Sequence, residues 1–152
     1  MKIAIGADHA GFELKERLKG YLSTRGHEVL DMGTNSCEST DYPAYAFRVA
    51  EAVRDGAVAQ GILICDSGNG IAIAANKVGG IRAAIAINPD HAALARRHND
   101  ANILVLGAKI LPPEAEEPTL DAWLLAAFEG GRHARRVGQI TDYERTHQRR
   151  SA

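Results

Sequence analysis

Five short runs rich in aliphatic residues, spaced by helix-length segments, constrain this chain more than any other feature. The runs cover residues 2–7, 28–31, 61–65, 82–87 and 103–106, each the length of a strand in a buried sheet. Between them, apolar residues recur at three-to-four spacing. Phe12, Leu14, Leu18 and Leu22 mark the first helix, and Ala46, Val49, Ala50 and Val53 the second. Ile71, Ala74 and Ala75 mark a third, residues 92–97 a fourth, and Leu120, Trp123, Leu124, Ala127 and Phe128 a fifth. Gly26, Gly56, Gly79 and Gly80 fall where helices should stop, and Pro43, Pro89, Pro112 and Pro113 where they should start. Strands alternating with helices predict an α/β three-layer sandwich, Rossmann-like, with a parallel sheet covered on both faces. Five strands is the flavodoxin-like number. Residues 130–152 predict a further polar helical tail.

At 152 residues the expectation is a single domain, 1–152, with about 130–152 as a basic C-terminal helical extension. A composition of 45% hydrophobic and 24% charged residues excludes wholesale disorder. The formal net charge of −1 provides no field to recruit nucleic acid or an anionic membrane. No apolar run reaches the ~20 residues of a membrane span, and the first residues are too short an apolar stretch for a secretory signal. The two cysteines, Cys37 and Cys65, make neither a disulfide framework nor a cysteine-rich zinc module; a cytoplasmic location is expected. The charge is nevertheless uneven. From Arg132 onward six arginines face two carboxylates, a net of +4, which leaves −5 on the first 131 residues.

In a sheet of this kind ligands collect beyond the carboxyl ends of the strands. Gly6-Ala7-Asp8-His9-Ala10-Gly11 follows the first strand, Cys65-Asp66-Ser67-Gly68-Asn69-Gly70 the third, and Gly107-Ala108-Lys109 the fifth. His98-Asn99-Asp100-Ala101-Asn102, after the fourth helix, is expected on the same edge. The Cys65 loop is the most informative. Its small residues let successive N–H groups turn toward one point, and a following helix start adds positive potential. There Cys65 serves either as a base or nucleophile or as a buried strand-end cysteine above a tight turn. Asp8 suits a catalytic carboxylate or a helix N-cap; His9 carries the same ambiguity. His98 and Asn99 either act or end a helix. Arg132, Arg135 and Arg136 form either a forked phosphate clamp or a solvated face. Cys37 reads as structural.

Several familiar sites are missing. No G-x-G-x-x-G is complete, since Ile73 stands where its third glycine belongs, and there is no GxxxxGK[ST]. A phosphatase loop needs arginine six places after the cysteine, and Ile71 stands there. Without paired histidines at helical spacing beside a carboxylate, neither a metal nor any other cofactor is required.

Taken in order, Gly6-Ala7-Asp8-His9-Ala10-Gly11, Asp41-Tyr42-Pro43, Cys65-x-Ser67-Gly68-x-Gly70-Ile71, Ala74-Ala75-Asn76-Lys77, His98-Asn99-Asp100-Ala101-Asn102 and Gly130-Gly131-Arg132-His133 closely resemble the ribose-5-phosphate isomerase B family. These are metal-independent sugar-phosphate isomerases, grouped with allose- and galactose-6-phosphate isomerases, and the likeness runs from residue 2 to 143. It implies interconversion of D-ribose 5-phosphate and D-ribulose 5-phosphate, by ring opening and a cis-enediol(ate) proton transfer. It also implies a homodimer, or a dimer of dimers, with each site built from two subunits. By resemblance Cys65 is the base that moves the proton between C1 and C2, and Ser67 assists it. The amides of Asp66, Ser67, Gly68, Asn69 and Gly70 hold the enediolate oxygen, and His98 opens the ring with Asp8 as partner. His9, Arg132 and Arg136 match phosphate-binding positions, Asn99 a substrate contact, and Tyr42 a pocket wall. The chemistry fits such a loop: one donor aimed at a developing oxyanion is worth about 2.7–4 kcal/mol, and a positioned base about 10²–10⁴-fold.

Two positions depart from that family. Asp66 stands where glycine is usual, and Lys109 where arginine is frequent, a point charge in place of a fork. Asp66 leaves open a related substrate, allose 6-phosphate or a tetrose phosphate, or a non-catalytic sugar-phosphate-binding module. A phospho-receiver domain would use Asp8, Asp66 and Lys109, but lacks its second acid after strand one and its Ser/Thr after strand four.

Overall fold

A computed structural model describes residues 1–148. Its elements run β1 (Lys2–Ala7), a 3-10 turn (His9–Gly11), α1 (Phe12–Thr24), β2 (Glu28–Asp31), α2 (Tyr42–Arg54) and β3 (Gln60–Cys65). They continue with α3 (Asn69–Ala75), β4 (Ala83–Ile85), α4 (Pro89–Asn99), β5 (Ile103–Gly107), α5 (Pro113–Leu125) and α6 (Arg132–Gln148). The five strands form one sheet in the order β2-β1-β3-β5-β4, parallel throughout. This is the flavodoxin-like α/β sandwich that the alternation of runs predicts. β4 is shorter than the expected 82–87, for it is an edge strand paired on one side only. Arg82 turns out of the ladder to bond its N–H to Asn102 Oδ1 at 2.8 Å.

Pleating divides the apolar residues between two cores. Ile3, Ile5, Ile62, Ile64, Leu104 and Leu106 face Leu14, Leu18, Ala92, Ala95, Leu120 and Trp123 of α1, α4 and α5. Ala4, Leu63, Ile103 and Val105 face Val49, Ala50, Ile71 and Ala75 of α2 and α3. At about 25 cal/mol per Å² of apolar surface removed from water, two such layers suit a one-domain chain. α6 confirms a helical tail as far as Gln148; the expected remainder, 149–152, lies outside the described residues.

The strand order changes direction between β1 and β3, so their carboxyl ends flank a crevice. Each helix runs back toward the amino edge before the next strand begins. α4 therefore carries His98 and Asn99 to the amino edge, opposite the Cys65 loop. The Arg82 guanidinium, just before β4, donates to the Asn99 and Asp100 carbonyls at 2.8–3.0 Å. The expectation that 98–102 shares an edge with Cys65 is thus corrected. α6 lies at the same amino edge, where Glu144 accepts the Gly80 N–H at 2.8 Å.

Candidate active site

At the carboxyl edge, local backbone geometry places each side chain. β3 ends at Cys65, opposite Gly107 of β5, and the chain then turns through Gly68 with φ +85, a left-handed conformation that favours glycine. The turn aims the Gly68 N–H at Cys65 Sγ, 3.1 Å away. Cys65 is buried, and that amide is its hydrogen-bond donor. Ser67 Oγ accepts the Asn69 N–H at 3.3 Å, which braces the loop into α3. Gly70 has no room for a side chain, because a Cβ there would lie 2.5 Å from the Tyr42 ring. Tyr42 is thus packed across the loop that follows Cys65.

Beside this loop, Asp8 is buried and accepts the Ala10 and Gly11 N–H groups at 3.0 and 3.2 Å. The N-cap reading of Asp8 holds, with both bonds on Oδ1. His9 Nδ1 takes the Thr40 N–H at 3.1 Å, leaving Nε2 as the ring nitrogen available to the cleft. Lys109 Nζ lies 2.9 Å from Asp66 Oδ1, and the Lys109 N–H donates to the Asp66 carbonyl at 3.0 Å. The two departures from the resembled family thus meet as one ion pair. Asp8, His9, Asp66 and Lys109 line a cleft of about 620 Å³ that extends to Glu13 and Arg17 of α1. Cys65, Ser67 and Tyr42 lie outside its lining.

A second group stands at the amino edge. The His98 and His133 rings stack with centroids 4.1 Å apart and planes within 8°. Glu129 Oε2 lies 3.8 Å from His98 Nε2 and 3.7 Å from His133 Nε2. Its other oxygen takes a hydrogen bond from Arg97 Nε at 2.6 Å, which holds the carboxyl below the ordinary glutamate range. Burial, helped by the charges of His98, Arg132 and Arg136, pushes His133 below the ordinary histidine value against the pull of Glu129. Arg132 and Arg136 belong to the first turns of α6, beside His133.

The expected residues therefore fall into two sets. Asp8, His9, Tyr42, Cys65, Asp66, Ser67, Gly68, Asn69, Gly70 and Lys109 belong to the carboxyl edge; His98, Asn99, Arg132 and Arg136 belong to the amino edge. The length of β5, roughly 13 Å at 3.3 Å per residue, separates them. Asp8 and His98 are not neighbours within one chain. Sequence reasoning missed Glu129. It precedes α6, across Gly130 and Gly131 with φ +68 and +56, so its nearness to His133 comes from a turn and not from a helical spacing readable in the sequence. His98, Glu129 and His133 put three ligand-type atoms within 4.8 Å of one another. The two rings are stacked 4.1 Å apart, and Arg97, Arg132 and Arg136 bring positive charge to the cluster, which disfavours a cation there.

The ribose/galactose isomerase family model matches residues 3–140. Ribose-5-phosphate isomerase B of Escherichia coli is 52% identical over 143 residues, 94% of this chain and 96% of that protein. The Clostridium thermocellum ribose-5-phosphate isomerase B structure superposes with a TM-score of 0.94 at 51% identity, covering 96% of this chain and 99% of the other. The Mycoplasma genitalium enzyme, solved with bound ribulose 5-phosphate, gives a TM-score of 0.91 at 41% identity over 95% of this chain and 96% of its own.

Proposed function

The chain belongs to the ribose/galactose isomerase family, and from that membership we propose that it interconverts D-ribose 5-phosphate and D-ribulose 5-phosphate. It is an aldose-ketose isomerase by its kinship with ribose-5-phosphate isomerase B across nearly its whole length. The observation that carries the mechanism is the buried Cys65 sulfur facing the Gly68 amide at 3.1 Å at the head of an open glycine loop. In this reading His98 opens the furanose. Cys65 then takes the proton from C2 of the open-chain aldose, and the 66–70 amides hold the enediolate oxygen. Cys65 returns the proton to C1 while Ser67 hydrogen-bonds the sugar. His9, Lys109, Arg132 and Arg136 supply the positive face for the phosphate, and Asn99 and Tyr42 wall the sugar. The Asp66 charge, offset by Lys109 at 2.9 Å, leaves the ribose reading ahead of allose 6-phosphate, a tetrose phosphate or a binding-only module. The phospho-receiver reading is abandoned, because family membership replaces it.

The separation of the two residue sets supports a homodimer in which each site takes its Cys65 edge from one subunit and its His98 edge from the other. Exposed Ile73 on α3 and Ile87 just past β4 offer apolar surface for that contact; pairing of dimers into a tetramer would need a further face. No helix among the described residues is long and apolar enough to cross a membrane. The absence of a cysteine framework fits a cytoplasmic enzyme.

Proton NMR of EDTA-treated protein in D₂O tests the reaction directly. Ribose 5-phosphate should become ribulose 5-phosphate with deuterium entering beside the carbonyl, faster than allose 6-phosphate or a tetrose phosphate reacts. Folded protein that turns over none of them would refute the assignment.

A further inference from the structure

We propose that Glu129 is a positioning residue for ring opening: pinned by Arg97, it holds His98 and His133 as a stacked imidazole pair that handles the proton. This rests on the isomerase reading above and assigns a task to two residues that it leaves idle. His133 has a side chain only 8% exposed. Its Nε2 lies 3.7 Å from Glu129 Oε2, and its ring stacks on that of His98.

Glu129 is fixed twice by α4, through Arg97 Nε on its carboxylate at 2.6 Å and through its own N–H on the Arg97 carbonyl at 3.0 Å. Its second oxygen sits almost equally far from both ring nitrogens. One carboxylate oxygen thus stands near both imidazoles, whose rings stack with centroids 4.1 Å apart. Ring opening needs two proton transfers. A proton goes to the ring oxygen as the C1–O bond breaks, and the anomeric hydroxyl proton is released as C1=O forms. Two imidazoles side by side can divide these tasks, one giving the first proton and the other accepting the second, with no net change and no co-reactant. The charged groups facing the pair are Arg97 of α4, Glu129 itself, and Arg132 and Arg136 of α6.

The test separates ring opening from the enediol step. Ribulose 5-phosphate, whose C5 oxygen is esterified, forms no furanose, so exchange of its C1 proton with D₂O bypasses ring opening. In Glu129→Gln, turnover of ribose 5-phosphate should fall about tenfold or more, with a several-fold smaller loss in ribulose 5-phosphate exchange. His133→Asn should show the same split. By NMR, the His133 ring in Glu129→Gln should titrate at lower pH than in the wild type, because the imidazolium has lost its carboxylate. Equal losses in both reactions, an unmoved His133 titration, or wild-type turnover of ribose 5-phosphate would overturn the proposal. A wild-type protein inactive in both reactions would instead overturn the isomerase reading, and this role with it.

Discussion

In the proposed reaction the Asp66 carboxylate stands beside the amides assigned to the enediolate oxygen, where glycine would be neutral. Lys109 answers it across 2.9 Å. The same lysine faces the cleft shared with His9, so in the proposed reading Asp66 would compete with a sugar phosphate for it. Exposed ion pairs are worth about 0.2–1 kcal/mol. Asp66→Asn should therefore lower KM for ribose 5-phosphate about two- to fivefold, with the gain fading at high salt. In a Lys109→Met background it should vanish, and steady-state kinetics of the four proteins would show whether it does. Gly70 poses the opposite case, a residue defined by what it lacks. In Gly70→Ala the new methyl must displace the outer end of the exposed Tyr42 ring, at about 1 kcal/mol, the low end of overpacking. Thermal melts should record that cost, and Tyr42→Ala in the same chain should remove most of it. Both residues could be read from the sequence as loop chemistry. Their partners could not, because Asp66–Lys109 and Gly70–Tyr42 are contacts between distant segments.

Among the elements, α1 and β2 are joined by an interaction that burial makes costly to break. Lys15 is wholly buried, with Nζ 2.5 Å from Asp31 Oδ2 and 2.7 Å from Glu16 Oε1, and Lys19 adds a bond to Asp31 at 2.6 Å. Burial alone would push the Asp31 carboxyl up, but Lys15, Lys19 and the Gly33 N–H together hold it below the ordinary value. Its stabilising effect is therefore complete above the unfolded carboxyl pKa of about 3.9 and is lost as pH falls through the lower folded value. Asp31→Asn leaves Lys15 its Glu16 partner, so it should cost about 1–3 kcal/mol at neutral pH, the range for a weakened hydrogen bond to a charged group, and should flatten the acid limb of stability. Urea melts from pH 3 to 7 would detect both; an unchanged acid limb would mean that Asp31 does not carry it. Element positions were legible because strand and helix periods differ and Pro43, Pro89 and Pro113 sit in the first turns of α2, α4 and α5. The placement of His98 was not read correctly, since a motif's rank along the chain carries no edge. An α/β unit reverses direction at every helix, so a residue ending α4 belongs to the amino edge.

At the scale of the whole molecule, that reversal decides what one chain can do alone. Cys65 and His98 stand at opposite edges of the sheet, with the length of β5 between them in one subunit. The basic residues that gather at α6, on a body carrying −5, suit a neighbour's cleft as well as its own surface. A twofold dimer then forms two equivalent sites, each with one edge from either copy. Cys65→Ala and His98→Asn should each abolish turnover of ribose 5-phosphate as pure dimers. When the two are unfolded together and refolded as a mixture, half the dimers are mixed. In each mixed dimer one site joins the intact Cys65 of one chain to the intact His98 of the other, while the second site lacks both. Activity should return to about one quarter of wild type, with size-exclusion chromatography confirming dimers. A site contained within one chain would give no recovery at all, because every chain in the mixture carries one lesion. The quarter thus measures the architecture as well as the catalyst: it requires both the split of residues along β5 and the symmetry that repairs it.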